Sequence, residues 1–115
     1  MADRIKNIDR IPINEVAAGT HLVLAGEAGY EIVLVGLVLS TSNDNQIAWT
    51  LITLQDQTVT LLDIYLGTYS NIVLPECNTG WLRCAAGERL DIVLGQDVNV
   101  GGVALCRKFP TGMEM

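Results

Sequence analysis

Few residues in this chain have side chains able to do chemistry, and their spacing limits what that chemistry could be. The one histidine, His21, stands at the start of an apolar stretch. General acid–base catalysis needs a partner that positions the ring, and a lone histidine beside apolar neighbours reads as structural. Cys77, Cys84 and Cys106 lie in no nucleophile motif. Structural zinc takes four ligands, commonly in close pairs, whereas Cys77 and Cys84 are separated by six residues and Cys106 is distant. Cys84 and Cys106 are therefore expected to be buried small hydrophobes, with no metal and no cofactor. Glu27 and Glu31 flank a turn and Asp91 faces out from a strand, but a glycosidase needs two carboxylates facing each other across a cleft. Gly95 and Gly101-Gly102 precede no helix, and no G-x-x-x-x-G-K is present, so no phosphate loop is expected. The expectation is that the chain is not an enzyme.

The elements that would carry these residues are strands. The chain has 115 residues, enough for one domain. Half of them are hydrophobic but only 5% are aromatic, so Val, Leu, Ile and Ala must make the core. Charged residues are 17%, below the usual quarter, and such a chain often hides surface in an oligomer or on a partner. The longest apolar run, Ile32 to Leu39, is interrupted by Gly36 and falls far short of the ~20 residues that cross a bilayer. Met1 is followed by Ala2-Asp3-Arg4-Ile5-Lys6 with no apolar h-region, so no signal peptide is expected. Without one, an odd cysteine count reads as reduced thiols in a cytosol-assembled protein. Residues 1–11 are net +1, with Arg4, Lys6 and Arg10 against Asp3 and Asp9, leaving −7 of the total −6 on the remainder. A body of that sign repels phosphate backbones, so no nucleic-acid partner is expected, and no membrane partner either.

In chain order, residues 1–19 lack a sustained period. Ile5, Ile8, Ile11 and Ile13 punctuate a polar segment containing Pro12, which reads as an extended arm or as a terminus with a short edge strand. Strands are expected at Thr20–Ala25, Tyr30–Ser40, Gln46–Gln55, Thr58–Tyr65, Asn71–Leu74, Gly80–Cys84, Arg89–Leu94 and Val98–Lys108. In the second of these, Ile32, Leu34 and Val38 alternate with Val33, Val35, Leu37 and Leu39. A strand apolar on both faces is either sandwiched or covered by another subunit, so Val33, Val35, Leu37 and Leu39 form a candidate oligomer face. Residues 80–94 read as a hairpin in which Trp81 folds onto the apolar face of Leu90, Ile92 and Leu94 as a core anchor. Gly101-Gly102 inside the last strand suggests a bulge or a close backbone approach. About eight strands and no helix make an all-β fold, a single antiparallel β-sandwich of jelly-roll type at 20–108, between an extended N-terminal arm (1–19) and a C-terminal tail (109–115).

Ile72-Val73-Leu74-Pro75, Gly80-Trp81-Leu82, Ala85-Ala86-Gly87-Glu88, Leu90, Leu94 and Val98-x-Val100-Gly101-Gly102 together resemble a pattern of small tailed-bacteriophage structural proteins. The resemblance covers about Thr20 to Lys108, and the three cysteines and the isoleucine-punctuated arm depart from it. It implies a capsid decoration (cement) protein, made in the host cytoplasm and placed on the virion surface. Its partners would be the major capsid protein and itself, as a dimer or trimer. On that reading Ile5, Ile8 and Ile11 anchor the arm on the capsid, while Arg4, Lys6 and Arg10 meet capsid carboxylates. A tail or fibre adaptor would share the fold. A carbohydrate-binding module is the other alternative, with Trp49, Tyr65 and Tyr69 as stacking rings, although Trp49 lies in phase with Ile47 and Leu51.

Overall fold

A computed structural model describes residues 5–41, 50–57, 59–67 and 69–112. It contains nine strands: β1 (Asp9–Glu15), β2 (Gly19–Leu24), β3 (Tyr30–Thr41), β4 (Thr50–Asp56), β5 (Val59–Leu66), β6 (Asn71–Leu74), β7 (Leu82–Arg83), β8 (Leu90–Leu94) and β9 (Val100–Pro110). The first sheet runs β1-β9-β3-β6, with β7 also paired to β3, and the second runs β2-β8-β4-β5. Every pairing is antiparallel. The chain repeatedly crosses between the sheets, and this strand order is that of a jelly roll.

The sheets pack because each turns one apolar face inward. Ile32, Leu34, Leu37 and Leu39 of β3 meet Ile52 and Leu54 of β4 and Leu90, Ile92 and Leu94 of β8 in one core. Each is at most 1% exposed, and full burial of such a side chain contributes about 1.5–3 kcal/mol. Leu90, Ile92 and Leu94 thus hold the place that their alternation predicted.

The phase of β3 differs from a uniform strand. Leu34 pairs with Cys106 and Gly36 with Leu105, so β3 bulges at Val35. One extra residue reverses the alternation: even-numbered Ile32 and Leu34 point inward before the bulge, odd-numbered Leu37 and Leu39 after it. The expected oligomer face is therefore split in two. Leu37 and Leu39 belong to the inter-sheet core, while Val33 and Val35 lie on the other side with Phe109, under Ile8 and Leu105. All four are at most 2% exposed, so in the closed chain they are already covered from within.

Four more expectations change. Residues 80–94 are no hairpin, because β7 pairs with β3 in the first sheet and β8 with β2 and β4 in the second. Trp81 is 47% exposed, and its indole N–H donates to the Pro75 carbonyl at 2.8 Å. With no β8 beside it, the ring has no core to enter. The segment expected as an arm contains β1, an edge strand on β9, and the expected tail begins inside β9, where Phe109 is fully buried. Gly102 meets its expectation as a close approach. With φ at +150°, a Cβ there would collide with the Val38 carbonyl.

Candidate functional site

The residues with chemical potential are spread through the fold and engaged in holding it. On β2, His21 meets the Glu15 carboxylate at 2.9 Å through Nδ1 and the Ala17 carbonyl at 2.7 Å through Nε2, which braces the β1–β2 connection. Cys84 and Cys106 are buried in the core, and burial pushes both thiols up to about 12. Cys106 lies on β9, next to Leu34 of β3, and Leu34 is in turn next to Leu82 of β7, two residues before Cys84. At least two strand spacings, about 9.6 Å, then separate their backbones, too far for a disulfide. Cys77 sits in the loop before β7, part-exposed, and the Thr79 hydroxyl beside its sulfur lowers its pKa.

The carboxylates are held separately. Glu27 accepts from Lys6 and Lys108, both at 3.1 Å, and these contacts lower its pKa, Lys108 first. Glu31 pairs with Arg83 at 3.1 Å, and the Arg83 guanidinium stacks over Phe109. Asp91, expected to face water, is 1% exposed under Arg89, which bonds it at 2.9 Å. Among the described residues, no group of three or more His, Cys, Asp or Glu side chains is arranged to hold a metal ion.

The expected capsid contacts are largely occupied within the molecule. Ile8 plugs the Val33, Val35 and Phe109 cluster, and Ile11 packs on the main core. The Lys6 ammonium reaches Glu27 and lies over the Tyr30 ring, at 4.8 Å from its centroid. Ile5 and Arg10 remain exposed, and Arg4 lies outside the described residues. Of the candidate sugar-stacking rings, Tyr65 and Tyr69 are exposed and Trp49 lies outside the described residues.

What the fold does leave open is a surface. On the outer face of the first sheet, the register aligns Pro12 of β1, Val103 of β9, Val38 of β3 and Val73 of β6 into one cross-strand row. Three strand spacings make the row about 14 Å long. Val38 is 39% exposed, Val73 57%, Pro12 is exposed and Val103 half-buried. Arg10 and Leu105 stand in the adjacent row, and Asn14, Gly101, Ser40 and Asn71 form the polar row on the other side. The row escapes a reading that extends one alternation through β3, because that reading puts Val38 inside. Gly36, interrupting the apolar run, is the sequence signal of the phase change.

No family model and no curated protein matches the sequence. Among solved structures, a chain from work on Bacillus endospore appendages, described as a novel family of disulfide-linked pili, is similar with a TM-score of 0.56. The match is 13% identical and covers 92% of this chain and 88% of that one. At that identity the likeness is one of fold.

Proposed function

We propose that this chain is a non-enzymatic structural protein of a tailed-phage virion that binds the outer surface of the capsid and stabilises it. The outer face of the first sheet is its docking surface. The observation that carries the reading is the row Pro12–Val103–Val38–Val73, an apolar line held in water across four strands. Covering it removes apolar surface from water at about 25 cal/mol per Å². A patch one row wide is well below the roughly 800 Å² that each partner gives to a stable interface. Such a contact suits a site repeated over a shell, where self-association engages several copies at once. The major capsid protein is then the partner, and the sequence pattern around Ile72–Gly102 supports that choice.

Assembly by disulfides, the linkage named for the Bacillus appendages, is not part of this reading. A linear disulfide-linked polymer needs two accessible thiols per subunit, and here two of the three are in the core. Cys77 alone would stop at a dimer.

The test is copy number, measured by quantitative mass spectrometry of purified virions against the major shell protein. Hundreds of copies per particle support decoration. A handful would replace it by a tail or fibre adaptor, and none would overturn the virion reading.

A further inference from the structure

The N-terminal strand has features that go beyond docking. We infer that β1 is an exchangeable strand: residues 5–15 of one copy take, on a second copy, the place they hold on their own β9.

β1 lies at the edge of the first sheet, next to the chain terminus, and its ladder partner among the described residues is β9. Its binding site is a single continuous surface. The ladder runs over Val100–Cys106, the Lys6 N–H donates to the Lys108 carbonyl at 2.9 Å, and Arg107 Nε donates to the Lys6 carbonyl at 2.9 Å. Ile8 fills the Val33–Val35–Phe109 cluster, and Ile13 enters the core. A second copy presents the same groups, so the fit seen within the chain is the fit the exchanged strand would have. The closed and exchanged forms share every ladder and differ only at the hinge.

The hinge is short. Val16-Ala17-Ala18 carries the chain from one sheet to the other, which lie about 10 Å apart, and ends at Gly19 with φ +116°. Short connections of this kind favour exchange, because the extended hinge of the exchanged dimer relieves the tight reversal. Three contacts hold the reversal closed: His21 on Glu15, His21 on Ala17, and the Ala18 N–H on Asp97 Oδ1 at 2.8 Å. This gives the single histidine a role that no catalytic reading supplied. It is a pin on the hinge.

Cysteines at the paired positions Arg10 and Leu105 test the inference, in a Cys77→Ser background. The chain carrying both Arg10→Cys and Leu105→Cys, oxidised at low concentration, should form the internal disulfide, which verifies that the substituted protein folds with β1 on β9. Isotopically labelled R10C is then mixed with unlabelled L105C at about 1 mM and oxidised. Exchange predicts a 10–105 link between labelled and unlabelled chains, at least tenfold above the 10–10 and 105–105 links. The yield should rise with His21→Ala and fall when Gly-Ser-Gly-Ser is inserted after Ala17. Mixed links no more abundant than like-with-like ones, or monomers alone, would overturn the inference. Decoration is judged separately by copy number, so either can fail without the other.

Discussion

The two sheets turn very different outer faces to their surroundings. On the second sheet the central row is Thr20, Val93, Thr53 and Asp63, with the Thr53 hydroxyl donating to Asp63 at 2.7 Å. The next row holds Leu22, Asp91, Gln55 and Thr60, with Arg89 bonded to Asp91. On the first sheet the corresponding line is Pro12, Val103, Val38 and Val73, and beyond it Val33, Val35 and Phe109 are kept from water by the chain's own Ile8 and Leu105. The second sheet pairs polar groups of its outer face with one another and leaves Leu22 and Tyr65 exposed singly among them. The first uses its N-terminal segment to cover part of an apolar surface and leaves the rest uncovered. Exposed apolar side chains are single on one face and aligned across strands on the other, and the aligned row is the feature that the proposed docking uses.

The contrast depends on the bulge in β3, and placing charge on the side chains that it turns inward should have the largest effect. Leu37→Asp with Leu39→Asp would put two unpaired carboxylates between the sheets, at a loss comparable to the whole stability of such a domain, about 5–15 kcal/mol. Urea unfolding followed by circular dichroism should show no cooperative transition. A variant with native-like unfolding would mean that the bulge does not set the two faces.

Smaller substitutions sharpen the difference between core and surface. Leu39→Ala should cost about 2–5 kcal/mol, because it opens a cavity between the sheets. Trp81→Ala should cost about 1 kcal/mol, the value of one hydrogen bond on an exposed ring. Equal losses in chemical denaturation would restore Trp81 to the core.

Much of the fold was legible in the sequence because turn residues and alternation are local. Gly26 to Gly29, Asn71–Leu74 and the Leu90–Ile92–Leu94 stripe mark their elements without reference to anything distant. Pairing was not legible in the same way. Trp81 and Leu90 are close in sequence, yet the chain between them crosses from one sheet to the other, a feature of jelly-roll topology rather than of local preference. The exposed row was hidden for a related reason, since one inserted residue reverses which side of β3 each later side chain faces. Of the three isoleucines expected to anchor the segment on a capsid, Ile8 and Ile11 turn to the chain's own body instead. Ile8, Ile11 and Ile13 hold the segment to its own body.

Thiol reactivity distinguishes loop from core more gently. Cys77, its pKa lowered by Thr79, should react with a thiol reagent in the native state, whereas Cys84 and Cys106, both pushed up to about 12, should react only on unfolding. Three fast thiols in the folded protein would contradict the buried positions. The smallest effect is that of acid on the cover of the first sheet. Because Lys108 and Lys6 hold the Glu27 carboxyl below its ordinary value of 4.5, its contribution is fully present above that value. It is lost as the pH falls through the lowered one. Exchange of the Lys6 amide, corrected for its intrinsic pH dependence, should accelerate in that acidic window and not in Glu27→Gln. The same acceleration in both proteins would remove Glu27 from the anchoring of the segment.

The difference between the faces is tested most directly by binding to the capsid shells proposed as this protein's partner, prepared without it. Two double variants, Val38→Lys/Val73→Lys on the first sheet and Thr20→Lys/Thr53→Lys on the second, would be compared with the wild type by co-sedimentation, each with its fold checked by circular dichroism. The account predicts that the first double variant folds and loses binding by at least tenfold, while the second binds as the wild type does. Full binding by the first, with loss confined to the second, would contradict it.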